Sequence, residues 1–182
     1  VLKSKVCRAI QQIFLDIIRG IPMIVLAFFV YFGIPYACNN LLGMRLTLTA
    51  LQAGTICLAL NCGAYMSEII RAGIQSVDIG QMEAGRSLGL SGVKTMFYII
   101  LPQAAKSALP AMCNEFISLI KETSIVSFIA VTDLYKSFKQ LGDPTYEYTM
   151  PYLMLALTYL IMVLLISWGV RLLEAKMKKS ER

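Results

Sequence analysis

GIPMIVLAFFVYFGIPYACNNLLGM, residues 20–44, runs for 25 residues without one charged side chain. A helix of roughly 20 apolar residues is enough to cross the ~30 Å hydrocarbon layer of a bilayer. Two further stretches have the same character, Leu46 to Ser67 with 22 residues and Tyr148 to Val170 with 23. The chain is 57% hydrophobic and 15% charged, with a mean hydropathy of +0.66, whereas soluble globular domains carry about a quarter charged residues. The reading is therefore an all-α membrane protein.

A fourth span is expected between Ser107 and Val131, although Asn114, Glu115, Lys121 and Glu122 interrupt it. A charge at mid-membrane costs about 2.5 to 3.5 kcal/mol on insertion scales, so the polar side of such a helix must face protein or water. At about 100° per residue, Asn114, Glu115, Ser118, Lys121 and Glu122 share a sector of about 120°. Phe116, Ile117, Leu119 and Ile120 take the remaining arc. Asn114 and Glu115 are candidates for a solute pathway, with Glu115 attracting a cation and Asn114 offering hydrogen bonds. Ser118, Lys121 and Glu122 belong to the same stripe and are candidates for the same pathway, while Lys121 and Glu122 equally suit a pair that caps a helix break near Thr123 and Ser124.

Four spans, at about 20–37, 46–70, 107–132 and 150–173, put residues 1–19, 71–106 and 171–182 on one side. That side holds 13 of the 17 basic residues, which makes it cytoplasmic. The net charge of +6 then reflects topology and anionic lipid, and implies no nucleic-acid partner. Val6, Ile10, Ile13, Phe14, Ile17 and Ile18 recur at helical spacing, which predicts an interfacial helix over about 5–19. The apolar run that follows is too long for a signal peptide, and Arg19-Gly20-Ile21-Pro22 offers no cleavage site. The chain opens on Val1 rather than Met, so an upstream segment is expected.

The cytoplasmic segment at about 76–104 carries the densest local signals. Asp78 is placed to cap a helix beginning at Ile79, with Gln81 completing an Asp variant of the capping box. Gly89 suits the C-terminal cap, where positive φ is needed. Ser91 is placed to cap a second short helix ending at Pro102. Two short helices joined at Leu88-Gly89-Leu90 would make a small, exposed elbow.

Glu83-Ala84-Gly85, then Gly89, then Ile99-x-Leu101-Pro102 resembles the "EAA" loop of membrane permeases in bacterial ABC importers, which reads Glu-Ala-Ala-x3-Gly-x9-Ile-x-Leu-Pro. Gly85 is the one departure. The polar amino-acid uptake subfamily is also similar at Phe14 to Pro35, Ala64 to Gly73, Gly80 to Glu83, Leu101 to Ala104 and Asn114 to Ser127, so nearly the whole chain is covered. The resemblance implies a single permease domain, residues 1–182, of type I importer architecture. The four helices present here would follow a first family helix that precedes Val1. It also implies a bacterial cytoplasmic-membrane location and an amino-acid solute.

The implied partners are a dimer of cytoplasmic ATP-binding subunits, a second permease subunit, identical or paralogous, and an extracytoplasmic amino-acid-binding protein. Glu83, Ala84, Gly85 and Gly89 would couple to the ATPase. Their chemistry fits, since small residues allow close approach and Glu83 can accept hydrogen bonds. Gly85 in place of Ala is expected to weaken the local helix by roughly 1 kcal/mol. No cofactor is expected on this chain, ATP and Mg residing on the partner. The outer segment from Asp133 to Met150 is the expected seat of the binding protein.

An enzyme is a weak rival, because the chain has no histidine, no cluster of metal ligands and no glycine-rich phosphate loop. An ATP-independent carrier or channel is the stronger alternative, and would leave the elbow unexplained. Gln52, Thr55 and Asn61 are expected to bridge helices, Gly54 and Gly63 to mark close helix contacts, Glu68 and Arg71 to pair, and Cys57 and Cys62 to pack.

Overall fold

A computed structural model describes residues 5–179; Lys3 and Arg182, counted above among the basic residues, lie outside them. The described residues form helices and turns. Helix α1 is Lys5–Gly20, α2 is Met23–Leu41, α3 is Ala50–Gln75 and α4 is Ile79–Ser87. Helix α5 covers residues 92–122 and leads into a 3-10 turn, Thr123–Ile129. Helix α6, Leu134–Gly142, and α7, Thr149–Lys179, complete the chain. Among them Met23–Leu41, Ala50–Gln75 and Thr149–Ala175 are long and apolar enough to cross a membrane. Segment 107–132, expected as the fourth span, is not one helix: it breaks at Thr123, and Ala130 turns the chain with a left-handed φ of 72°.

Prolines shape two of these helices. Pro35 and Pro102 each lie two residues beyond a π-helical turn, Phe29–Gly33 and Met96–Ile100 respectively. A proline inside an α-helix lacks its N–H and presses its ring on the carbonyl four residues back, here that of Tyr31 or Tyr98. Widening the preceding turn by one residue relieves that pressure and lets the helix continue. The second elbow helix therefore does not end at Pro102 as expected. It runs on to Glu122.

Helix α3 starts with a reciprocal cap. The Gln52 side chain accepts from the Thr49 N–H at 3.0 Å while Thr49 Oγ1 accepts from the Gln52 N–H at 3.2 Å. Thr55 Oγ1 donates to the Leu51 carbonyl at 2.8 Å. Neither Gln52 nor Thr55 bridges helices in these bonds, contrary to expectation, because local backbone groups at a helix start claim them first. Asn39 fixes the preceding loop, accepting from the Leu46 N–H and donating to the Leu46 carbonyl.

The chain divides into two compact units. The first comprises the described residues up to Ala64 together with Ser118–Met162. Its core gathers Leu15 and Ile18 of α1, Leu26, Ala27 and Val30 of α2, Ala53, Cys57 and Ala64 of α3, and Val126 and Ile129 of the 3-10 turn. Small side chains permit the approach, since a Cβ on Gly54 would come within 3.2 Å of Val126 Cγ1. Cys57 is buried with its Sγ 3.8 Å from Met23 Sδ, a packing role. Gly63, expected at a similar contact, has nothing within 4 Å.

The second unit comprises Tyr65–Ile117 and the described residues from Val163 onward. There a Cβ on Gly73 would lie 2.8 Å from Ala108 Cβ and 2.9 Å from the Ala104 carbonyl oxygen, so α3 and α5 touch backbone to backbone. Ser76 Oγ and Ser107 Oγ, 2.8 Å apart, seal the same seam. Glu68 and Arg71 pair at 2.6 Å, as expected.

One substitution made at two glycines separates packing from helix propensity. Gly73→Ala forces two helices apart and should lower the unfolding temperature in detergent, at a cost of about 1 to 3 kcal/mol. Gly63→Ala meets open space and should leave it unchanged or raise it. Equal effects at both positions would refute the Gly73 seam.

Candidate functional site

The elbow is built from three backbone caps. Asp78 Oδ1 accepts from the Gly80 N–H at 2.6 Å, which starts α4. The reciprocal half of the expected capping box is absent, for Gln81 Oε1 instead accepts from Gln103 Nε2 at 3.4 Å. At the other end, the Leu90 N–H donates to the Gly85 carbonyl at 3.2 Å and the Gly89 N–H to the Arg86 carbonyl at 3.0 Å. With Gly89 at φ +83°, this is the paired bonding of a Schellman cap, which glycine enters without steric cost. Ser91 Oγ accepts from the Lys94 N–H at 3.3 Å and opens α5.

Inside the bend, Gly85 faces the protein's own α5. A Cβ there would lie 2.5 Å from Thr95 Cγ2 and 3.1 Å from Ile99 Cδ1. Thr95 is fully buried, and its Oγ1 donates to the Ser91 carbonyl at 3.1 Å. The one departure from the motif thus has a local cause: α5 crosses α4 too closely for alanine. Of the four residues singled out for coupling, Glu83, Ala84 and Gly89 are exposed, and Gly85 is buried.

The outward side of the elbow carries apolar residues that sequence reasoning passed over. Ile79 is 76% and Leu88 82% exposed, and Val93, Phe97 and Tyr98 are exposed as well. Their signal was available, since Ile79 and Leu88 bracket an otherwise polar helix. Exposed large apolar side chains on a bend closed by its own hydrogen bonds mark a contact surface for a protein or a membrane.

The polar stripe divides along α5. Asn114 is exposed and Glu115 half-buried in the second unit, while Ser118, Lys121 and Glu122 belong to the first. Glu122 Oε2 accepts from Asn61 Nδ2 at 2.9 Å, and Asn61 is buried. Asn61 thus bridges helices as expected, and ties Glu122 to α3. The helix break follows at once. Thr123 Oγ1 donates to the Ile120 carbonyl, Ser124 Oγ to that of Lys121 and Ser127 Oγ to that of Ser124, all at 2.7 to 2.8 Å. Hydroxyls that claim carbonyls three residues back favour the tighter 3-10 turn observed.

Beyond the break, Asp133 Oδ1 caps α6 by accepting from the Lys136 N–H at 2.9 Å. Lys139 Nζ bonds Asp143 Oδ1 at 3.1 Å, and the Tyr148 hydroxyl donates to the same oxygen at 2.9 Å. The Lys139 bond, then that of Tyr148, holds the Asp143 carboxyl below its ordinary range, and Asp143 in turn raises Lys139. Phe128, Tyr135 and Tyr152 stack in sequence at centroid spacings of 5.7 and 6.0 Å, and Tyr148 stacks on Tyr152 at 5.6 Å.

Similarity to known proteins agrees with this architecture. The family described as "Binding-protein-dependent transport system inner membrane component" matches residues 1–179. The chain is 40% identical over 175 residues to a putative glutamine transport system permease protein of Rickettsia bellii, spanning 96% of this chain and 78% of the relative. It is 38% identical over 172 residues to the arginine transport system permease protein ArtQ of Bacillus subtilis, spanning 94% and 76%. A crystal structure of an amino acid ABC transporter with histidines superposes with a TM-score of 0.85 at 40% identity, over 96% of this chain and 78% of that one. An inward-facing MetNI methionine ABC transporter shares the fold, with a TM-score of 0.74 at 19% identity over 97% and 77%.

The tight Gly85 contact makes a paired prediction. Gly85→Ala, which restores the residue of the motif, should destabilise the elbow by about 1 to 3 kcal/mol despite its better helix propensity. Adding Thr95→Ala removes the obstructing Cγ2 and should recover most of that loss. Additive effects in a double-mutant cycle would show that the two side chains do not meet.

Proposed function

The chain belongs to the family of binding-protein-dependent transport system inner membrane components, and from that membership we propose that it forms half of the translocation pathway of an ATP-driven amino-acid importer. It is a multi-pass permease subunit of the bacterial inner membrane, and not an enzyme. An ATPase and a binding protein act with permeases of this kind. The finer assembly is part of the proposal: two cytoplasmic ATP-binding subunits that hold ATP and Mg, a second permease chain, identical or paralogous, and an extracytoplasmic amino-acid-binding protein. An amino acid is the proposed solute because similar permeases are named for glutamine and arginine.

The observation that carries the reading is the elbow. It closes on its own hydrogen bonds and on the Gly85 contact with Thr95, so it needs no partner to hold its shape. Its outward apolar rim, with Glu83 and Ala84 beside it, is left for another protein. In this proposal ATP-driven closure of the ATPase pair displaces the elbow and alternates access to the pathway. Glu115 and Asn114, with Ser118 and Lys121, line that pathway, and Glu122 sets the helix that presents them. A carrier or channel working without ATP would give the rim nothing to grip.

Reconstituted with its ATPase and binding protein, the permease should take up amino acid only while nucleotide is hydrolysed; uptake that persists without nucleotide would favour the carrier. Glu83→Lys and Leu88→Asp, both on the exposed side of the elbow, should each reduce co-purification of the ATPase by about tenfold or more, as loss of an interface anchor does. Membrane insertion should be unaffected, and full retention of the ATPase by both variants would mean that the elbow docks nothing. Glu115→Gln should lower uptake of cationic amino acids more than of neutral ones in the same vesicles. Unchanged uptake of both would remove Glu115 from the pathway.

A further inference from the structure

Within the first unit a pocket of about 240 Å³ opens between the 3-10 turn and α6, on the face that the scarcity of basic residues assigns to the exterior. Sites for drug-sized ligands span about 300 to 1,000 Å³; this one is sized for a single side chain or one amino acid. Phe128 and Tyr135 supply an aromatic wall.

Its charges are unequal. Lys136, Lys139 and Asp143 line it, two cations against one anion. Lys139 is committed to Asp143, whose bonded oxygen also accepts from Tyr148. Asp133 is not part of the lining; its Oδ1 is turned to the start of α6, and its Oδ2 is buried without a hydrogen-bond partner among the described residues. Lys136 Nζ donates at 3.3 Å to the Ala130 carbonyl. An ammonium has three hydrogens to give, and no described carboxylate meets this one. A buried or half-buried cation beside an aromatic wall, with spare donors, is complementary to a carboxylate.

We propose that this pocket binds a carboxylate group, with Lys136 as its cationic ligand and the Phe128–Tyr135 wall beside it. A carboxylate can reach this face as the α-carboxylate of a free amino acid or as an acidic side chain of the binding protein. The inference rests on the import reading only for those two sources.

The test uses the whole transporter in nanodiscs without nucleotide. In the first arm, saturation-transfer NMR with L-glutamine as the probe should show contact with aromatic protons in the wild type. Lys136→Gln should weaken that binding by about tenfold or more, the loss typical of a charged hydrogen bond, and Lys136→Arg should keep it. Asp143→Asn should tighten it, because Lys139 is released and the pocket then holds two uncompensated cations; misfolding cannot mimic a gain.

The second arm measures the affinity of the binding protein for the same nanodiscs. Weakening by Lys136→Gln and tightening by Asp143→Asn in docking, with the glutamine signal unmoved, would assign the carboxylate to the binding protein. Glutamine binding and docking that both ignore the two substitutions, or a wild type showing neither, would overturn the proposal. ATP enters neither arm, so failure of nucleotide-driven uptake would count against the import reading and leave the pocket result standing.

Discussion

The contact between Gly85 and Thr95 is the constraint on which the elbow of this permease depends. Two helices cross there with no room for a single added carbon, so the angle of the bend is set by atoms in contact rather than by a flexible linker. The Schellman cap at Gly89 and the Ser91 cap complete it with backbone hydrogen bonds. Close-packed interiors resist deformation in this way. The same contact turns Gly85 inward and leaves Glu83, Ala84 and the apolar rim as the parts available to another protein.

The backbone imposes a second constraint, because a buried N–H or C=O without a hydrogen-bond partner costs free energy comparable to a lost hydrogen bond. The chain answers it at its irregular points. Pro35 and Pro102 are absorbed by widened turns and not by breaks. Where α5 does break, Thr123, Ser124 and Ser127 cover the carbonyls that the lost helical bonds would expose. The transition at Glu122 is thus a built feature, fixed to α3 through Asn61.

Local chemistry was legible in the sequence, and distant contact was not. Charge-free stretches announced three spans, and Asp78, Gly89 and Ser91 announced the elbow, because a cap involves groups a few residues apart. Pro102 misled, since a proline reads as a stop unless the turn before it can widen, and that depends on backbone geometry a residue pattern does not encode. Thr49 and Gln52 form a capping box whose spacing was visible, yet the place of Gln52 in an apolar run suggested interhelical bridging. The inward face of Gly85 was hidden for a different reason: Thr95 lies on another helix, and only the crossing angle brings it there. Gly63 reads like Gly54, and only the presence of Val126 beside one of them tells the two apart.

The division of the polar stripe follows from the same physics. Glu122 carries a carboxylate bonded to a buried asparagine, which holds it in one geometry. Releasing it to follow a passing solute would leave Asn61 unsatisfied, a cost of about 1 to 3 kcal/mol. A pathway group must exchange partners at each cycle, whereas a group at a helix break must not. Glu122 is fixed to α3 through Asn61 in this structure. Asn114, Glu115, Ser118 and Lys121 are the other polar side chains of the stripe on α5.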